Sequence, residues 1–274
     1  MSISSDSAPA EPLPAATTML VREQEGRLQV YLMQRHADSD FGGSYAFPGG
    51  LVDVADDDEN AESICMGLTR AEAASRLSSC PAPLAMYVAA VRECFEECGI
   101  FLGLENSGTA WQPISQSRQQ SLYRYRGALV RKELSLAELC SQEDLRLDLA
   151  SLSYLSFWTT PVIRKRRYAT RFFLAPMPDN QVPIIDKREA VDDFWLTLDK
   201  PSIAELAAQH DLRPPTLVNL HQLAAFPSIR SLLQAARERP AHAIPEVTPV
   251  ITFRDGRQDF LLHSRYPDQV RNHV

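Results

Sequence analysis

Two early stretches, Thr18–Arg22 and Leu28–Arg35, carry short apolar runs bounded by polar residues and predict strands joined by a turn at Glu23–Arg27. Leu28, Val30 and Leu32 fall on one face, Tyr31 and Met33 on the other. Apolar residues on both faces imply a sheet covered on both sides. Asp38–Gly43 reads as a polar loop, Ser44–Phe47 as a short strand, and Phe47-Pro48-Gly49-Gly50 as a tight, sterically open turn. Thr69–Ser78 reads as a short helix opened by the Thr69/Glu72 capping-box pattern. Further on, Tyr87, Val88, Val91 and Phe95 recur at helical spacing, with Pro81 and Pro83 before them and Gly99 as the stop.

A strand or turn is expected at Ile100–Leu104, and helices at Ser115–Lys132 and from Ser135, with Glu138 in the capping-box position. Leu155–Thr160 and Arg171–Ala175 read as strands, Glu189–Asp193 as an acidic loop, and Phe194–Leu198 as a strand. Ser202–Gln209 and Thr216–Ala225 read as helices separated by Pro214-Pro215. Val247–Phe253 and Asp259–His263, joined through Asp255-Gly256, read as a hairpin. Strands alternating with helices predict a layered α/β domain. The expected organisation is a disordered tail at 1–15, a main domain at 16–235, and a linker with a C-terminal hairpin packed on it at 236–274.

Composition narrows the class. The chain has 274 residues, 45% of them hydrophobic and 23% charged, as in a globular protein with a sizeable core. Its net charge of -7 argues against nucleic acid as a partner. No apolar run reaches the length of a membrane span, and residues 1–15 lack a secretory pattern, so no membrane partner is expected. Five cysteines without paired C-x-x-C spacing read as reduced thiols, which predicts a cytoplasmic protein.

The helix bearing the apolar stripe carries the candidate chemistry. Its end reads Val-Arg-Glu-Cys-Phe-Glu-Glu-Cys-Gly-Ile over Val91–Ile100. Glu93, Glu96 and Glu97 share one face, where like charges repel. A solvated acidic surface is the commoner outcome for such a pattern, whereas a hard divalent cation with oxygen ligands gives it a purpose. Arg164-Lys165-Arg166-Arg167-Tyr168 is the densest basic run, and in an acidic protein it suits a phosphate-bearing small molecule.

Together, Phe-Pro-Gly-Gly and the acidic helix resemble the Nudix hydrolase signature, G-x5-E-x7-R-E-U-x-E-E-x-G-U, where U is bulky and apolar. Gly50, Arg92, Glu93, Glu96, Glu97, Gly99 and Ile100 match in order, with the smaller Cys94 at one U. Arg92 lies 42 positions after Gly50 instead of 14, so the box carries a 28-residue insertion, at about 57–84. Asp56 stands where the first glutamate is expected, and Asp56, Asp57, Asp58 and Glu59 are all candidates for its role. A split box also occurs in the Nudix branch that includes the peroxisomal coenzyme A diphosphatases. Leu32-Met33-Gln34-Arg35, Phe157-Trp158-Thr159-Thr160-Pro161, Thr170-Arg171-Phe172-Phe173-Leu174 and Pro214-Pro215-Thr216 are similar to that branch.

The resemblance implies an α/β (α+β) Nudix-type α/β/α sandwich with a mixed sheet, a helical insertion within the box and extra C-terminal helices. It implies a metal-dependent hydrolase cleaving a diphosphate in a nucleoside diphosphate derivative, with coenzyme A or an acyl derivative as the leading substrate. ADP-ribose, a nucleotide sugar or a dinucleotide is the alternative, and a non-catalytic Nudix-fold sensor ranks below both because the carboxylates are present. By the same resemblance Glu93, Glu96 and Glu97 would hold Mg²⁺ or Mn²⁺ with the Gly49 carbonyl, and Arg92 would brace them. Glu93 or Glu97 would be the general base, with Glu189 the loop alternative. Arg35, Arg167 and Arg171 are candidate phosphate clamps. Nudix proteins are often dimers, so a homodimer is among the expectations, although no segment marks an interface.

Overall fold

The two early apolar stretches pair as expected. Strand β1 (Leu13–Gln24) and strand β2 (Arg27–Arg35) are antiparallel, with Val21 opposite Val30 and Gln24 opposite Arg27. Between them Glu25 and Gly26 both adopt positive φ, 53° and 70°, the two-residue turn that matches strand twist. The structure, a computed structural model, describes residues 9–39, 42–77, 80–112, 116–254 and 257–261. β1 starts at Leu13, inside the stretch expected as a tail. Residues 13–15 pair with later strands, and Ala15 is buried.

The remaining elements follow in order. They are β3 (Tyr45–Ala46), β4 (Gly49–Leu51), β5 (Cys65–Met66), α1 (Arg70–Arg76), α2 (Pro83–Cys98) and β6 (Gly103–Glu105). Next come α3 (Gln116–Val130), α4 (Leu136–Glu143), β7 (Leu145–Asp148), β8 (Ser153–Thr159), β9 (Tyr168–Pro176) and β10 (Ala190–Thr197). The chain closes with α5 (Lys200–Gln209), α6 (Pro214–Leu223), α7 (Ile229–Glu238), β11 (Glu246–Val247) and the hairpin β12 (Val250–Arg254) and β13 (Arg257–Leu261). The expected helix ends at Ser78 and Ser115, the hairpin corner Asp255-Gly256 and its end His263 lie outside the described residues. Both capping boxes form: Thr69 and Ser135 accept from the amides of Glu72 and Glu138.

The main sheet runs β10-β2-β1-β9-β8-β11, with β3 added to β2 and β4 to β1. It is mixed, because β1–β9 and β8–β11 are parallel and the other pairs antiparallel. Its two faces bury separate cores. Leu20, Tyr31, Met33 and Phe173 pack towards α2, while Met19, Val30, Leu32 and Leu174 pack towards α5–α7. This is the helix–sheet–helix layering that apolar residues on both strand faces demand.

Three expectations shift. Residues 190–193 are strand, not loop. β10 is an edge strand, where charged residues are tolerated, and Asp192 and Asp193 accept hydrogen bonds from the Tyr45 and Tyr31 hydroxyls at 2.8 and 2.9 Å. Pro214 and Pro215 open α6 rather than precede it, since proline at the first helical positions forfeits no hydrogen bond. The stretch at 237–246, expected as linker, holds the end of α7 and the start of β11. The insertion in the box folds as two short 3-10 turns, β5 and α1. β5 joins β7 and β6 in a small second sheet.

α2 is more deeply placed than its stripe predicted. Beyond Tyr87, Val88, Val91 and Phe95, it also buries Leu84, Met86, Ala89, Ala90, Cys94 and Cys98. A helix apolar almost all round belongs in a core, and here only the acidic edge is left facing open space. Gly99, at φ 72°, ends it as predicted.

Candidate active site

The acidic edge of α2 meets the glycine turn. β4 adds to β1 with Gly49 opposite Thr17 and Gly50 opposite Ala16. The Gly49 amide donates to Glu97 Oε2 at 2.7 Å. A side chain on Gly50 would put its Cβ 2.6 Å from the Glu93 carboxylate, and one on Gly49 would meet the Ala16 carbonyl oxygen at 2.5 Å. Gly49, walled by the β1 backbone, therefore requires glycine, whereas at Gly50 a side chain would displace the Glu93 carboxylate.

Arg92 ties the edge together. Its Nε and Nη2 donate to the two oxygens of Asp56 at 2.8 and 2.9 Å, Nη2 also to the Leu51 carbonyl at 2.8 Å. Nη1 reaches Glu93 at 2.8 Å and Glu96 at 3.2 Å. Asp56 is 1% exposed and also accepts from the Asp53 amide at 2.8 Å. Of the four acids offered by the sequence, Asp56 is the one that closes on the box arginine. Asp57 instead pairs with Arg70 near the surface.

Glu189 arrives from the other side. The Ile184 and Asp186 amides donate to the Cys98 and Glu97 carbonyls at 2.8 and 2.9 Å, satisfying the open end of α2. Arg126 is buried and clamps the same junction, donating to the Glu96 and Ile184 carbonyls at 2.9 and 2.7 Å. The Glu189 and Ala190 amides then turn back onto the Asp186 carbonyl, both at 3.0 Å.

Glu93, Glu97, Gly49, Gly50, Glu189 and Arg35 line one flank of a cavity of about 480 Å³. Phe47, Trp158 and Phe172 supply aromatic wall, and Arg164, Arg166 and Arg213 also face it. Arg167 and Arg171, expected as phosphate clamps, are not cavity residues. Arg171 alternates with the cavity-facing Thr170 and Phe172. It points to the opposite face of the sheet, where its guanidinium lies 4.1 Å from the Phe157 ring centre. Arg167 is buried and donates to the Thr160 and Ala10 carbonyls at 2.9 and 2.8 Å. Arg164 and Arg166 belong to the basic run that suited a phosphate-bearing small molecule, although Arg167 was the member expected as a clamp. Arg213 was not expected, and it carries no local signal.

A family model described as the NUDT19 Nudix domain matches residues 59–223, more than half of the chain. The chain belongs to this Nudix family. Acyl-coenzyme A diphosphatase NUDT19 of Homo sapiens is 27% identical over 177 residues, covering 62% of this chain and 47% of that protein. The Gallus gallus protein of the same name is 26% identical over 263 residues, covering 83% of this chain and 70% of that one. The chain thus spans about half the length of the human relative it matches. A crystal structure of a NUDIX hydrolase from Alicyclobacillus acidocaldarius shares the fold, with a TM-score of 0.63 at 24% identity over 84% of this chain and 99% of that one.

In this Nudix chain the box carboxylates are costly to ionise. Burial pushes the Glu93 carboxyl up to about 7, against the pull of Arg92 and helped by the charges of Glu96 and Glu189. Burial also raises Glu96, opposed by Arg92. Glu97 is raised well above the usual carboxylate range, by burial first and by Glu93 and Glu189 next, with Arg35 opposing. Four carboxylates thus share a partly dry site whose nearby cations are Arg92 and Arg35. Hard oxygen donors with surplus negative charge fit a divalent cation of the Mg²⁺ type. The carboxylates themselves are turned onto Arg92 and the Gly49 amide. Among the described residues no three acid, histidine or cysteine groups are drawn into a closed coordination shell.

Proposed function

We propose that this chain is a metal-dependent Nudix hydrolase that cleaves the phosphoanhydride bond of a nucleoside diphosphate derivative, with coenzyme A or an acyl-coenzyme A as the substrate. The observation that carries the reading is the convergence of Glu93, Glu97 and Glu189 with Gly49, Gly50 and Arg35 on one cavity flank. The names of the relatives support the choice of coenzyme A. Glu93, Glu96, Glu97 and the Gly49 carbonyl would hold Mg²⁺ or Mn²⁺. Such a cation, when bound, neutralises diphosphate charge and makes a water more acidic.

The chain's own groups do the rest. Arg35 offers a guanidinium to the diphosphate oxygens beside the carboxylates. Arg92 has every donor engaged, so its part is to hold Glu93 and Glu96 in place rather than to touch substrate. Glu189 is exposed at the cavity edge, where it can take a proton from the attacking water, and Glu93 or Glu97 is the alternative base. Phosphoryl chemistry asks mainly for such positioning and charge. No described helix is long and apolar enough to cross a membrane. The five cysteines are all free, which supports a reducing, cytoplasmic setting.

The test is a panel of coenzyme A, acyl-coenzyme A, ADP-ribose, nucleotide sugars and dinucleotides with Mg²⁺ or Mn²⁺, products resolved by mass. Release of phosphopantetheine, lost in Glu96→Gln and Glu97→Gln proteins that still fold, is the expected result. Full activity in either variant overturns the assignment of the box. Cleavage of ADP-ribose or a dinucleotide alone overturns the substrate, and tight binding without any cleavage would mark a sensor.

A further inference from the structure

The cavity has two charged poles, and the proposed hydrolysis uses one of them. The other is built by the loop between β8 and β9. That loop is fixed at its base: the Thr160 amide donates to the Tyr168 carbonyl at 2.9 Å, and the Tyr168 amide to Thr160 Oγ1 at 3.0 Å. Within it the Arg164 amide donates to the Pro161 carbonyl at 3.1 Å. Buried Arg167 pins the loop to the Thr160 and Ala10 carbonyls. One guanidinium of the basic run thus serves as an internal anchor. Arg164 and Arg166, two residues apart, both line the cavity, while Lys165 between them does not. The Arg166 guanidinium lies 5.5 Å from the centre of the Tyr168 ring, itself a cavity residue.

This pole is remote from the carboxylates across the sheet. β4 pairs with β1, β1 with β9, and β9 with β8. The two strands that carry the loop, β9 and β8, lie two and three strand spacings from the Gly49-Gly50 turn, roughly 10 and 14 Å. Phe47, Trp158 and Phe172 lie along the cavity as surface for a flat apolar group. A diphosphate seated at Glu93 and Glu97 beside Arg35 does not call for two more arginines on the far flank. A second anionic group on the same molecule does, and a phosphate monoester suits forked guanidinium donors.

We infer that Arg164 and Arg166 form a phosphomonoester subsite, so that the cavity selects diphosphates whose nucleoside end carries an additional ribose phosphate. This rests on the diphosphatase reading and sharpens its substrate. Coenzyme A has that phosphate and dephospho-coenzyme A lacks it. A charge-assisted contact predicts a preference of about tenfold or more.

The experiment compares kcat/KM for the two coenzymes in the wild type and in the Arg164→Gln/Arg166→Gln protein. Coenzyme A preferred by the wild type, with the ratio falling to near one in the variant mainly through KM, supports the subsite. A purely structural loss would lower both substrates by the same factor, and that outcome overturns it. Calorimetric titration of adenosine 3′,5′-bisphosphate against AMP reads the same preference without turnover. If neither coenzyme is cleaved but the bisphosphate is preferred and the variant loses that preference, the hydrolase reading fails and the subsite stands. If the wild type binds the two nucleotides equally, the subsite is refuted whatever the activity.

Discussion

Replacing Glu93 by glutamine should make the metal-free protein more stable while abolishing turnover. The carboxyl is raised from 4.5 to about 7, with burial the largest cause. The neutral acid's stabilising contribution is therefore complete below about pH 4.5 and is lost as pH rises through about 7. By pH 8 ionisation costs the fold roughly 3 kcal/mol, at 1.36 kcal/mol per unit, whereas at pH 5 the cost is under about 1 kcal/mol. Glutamine is never charged and keeps a carbonyl for Arg92 Nη1, which now donates to Glu93 at 2.8 Å. The gain at pH 8 should be about 2–3 kcal/mol, a Tm rise of roughly 3–5 °C for a chain of this size. The assay is thermal unfolding of both proteins with a chelator at pH 5 and pH 8, repeated with saturating Mg²⁺ or Mn²⁺. The gap should be wide at pH 8, narrow at pH 5, and shrink when the cation stabilises the wild type alone. A variant no more stable than the wild type at pH 8, or an identical gap at both pH values, would refute the argument that this site stores electrostatic cost.

Asp56→Ala strips Arg92 of both Asp56 contacts in a nearly dry setting and should cost about 3 kcal/mol in urea unfolding; less than about 1 kcal/mol would show that Glu93, Glu96 and Leu51 suffice. Gly50→Ala pushes a Cβ against the Glu93 carboxylate, so Mn²⁺ affinity measured by calorimetry should fall about tenfold or more, and unchanged affinity would count against that contact as part of the cation site. Arg35→Ala and Arg171→Ala should separate. The first lowers kcat/KM about tenfold or more in steady-state assays, and the second lowers stability by about 1–2 kcal/mol through lost packing on Phe157 without a substrate-dependent change in KM. Equal kinetic effects from the two would contradict their placement on opposite faces.

What was legible in the sequence was local or fixed by chemistry. The Thr69/Glu72 and Ser135/Glu138 caps, the Gly99 stop and the two-faced strands depend on residues a few positions apart. The glycine turn and the acidic face of α2 were legible because their spacing is rigid. What was missed depends on partners far along the chain. β1 begins at Leu13 because β9 lies alongside it, opposite Tyr168, and nothing in a Pro- and Ala-rich stretch announces that pairing. Alternation says that Thr170 and Arg171 face opposite ways, but only the pairing of β9 with β1 and β8 decides which meets the cavity. Asp56 could not be chosen from four neighbouring acids until the 3-10 turn at Val54–Asp57 set it against Arg92.

The Arg92–Asp56 contact closes a loop of 36 residues, where an uninterrupted box would close one of 8. Loop-closure entropy grows only with the logarithm of length, so the longer span adds about 1 kcal/mol. Burying Leu68 and Leu77 of the insertion in the core outweighs that. The added segment is therefore thermodynamically almost free, and it adds little to the topological cost of folding. The sheet closes far longer loops: Leu13 pairs with Tyr168 and Arg35 with Ala190, each across 155 positions. Assembly of the hydrolytic centre is thus governed by the sheet that carries the glycine turn against α2, and not by the insertion.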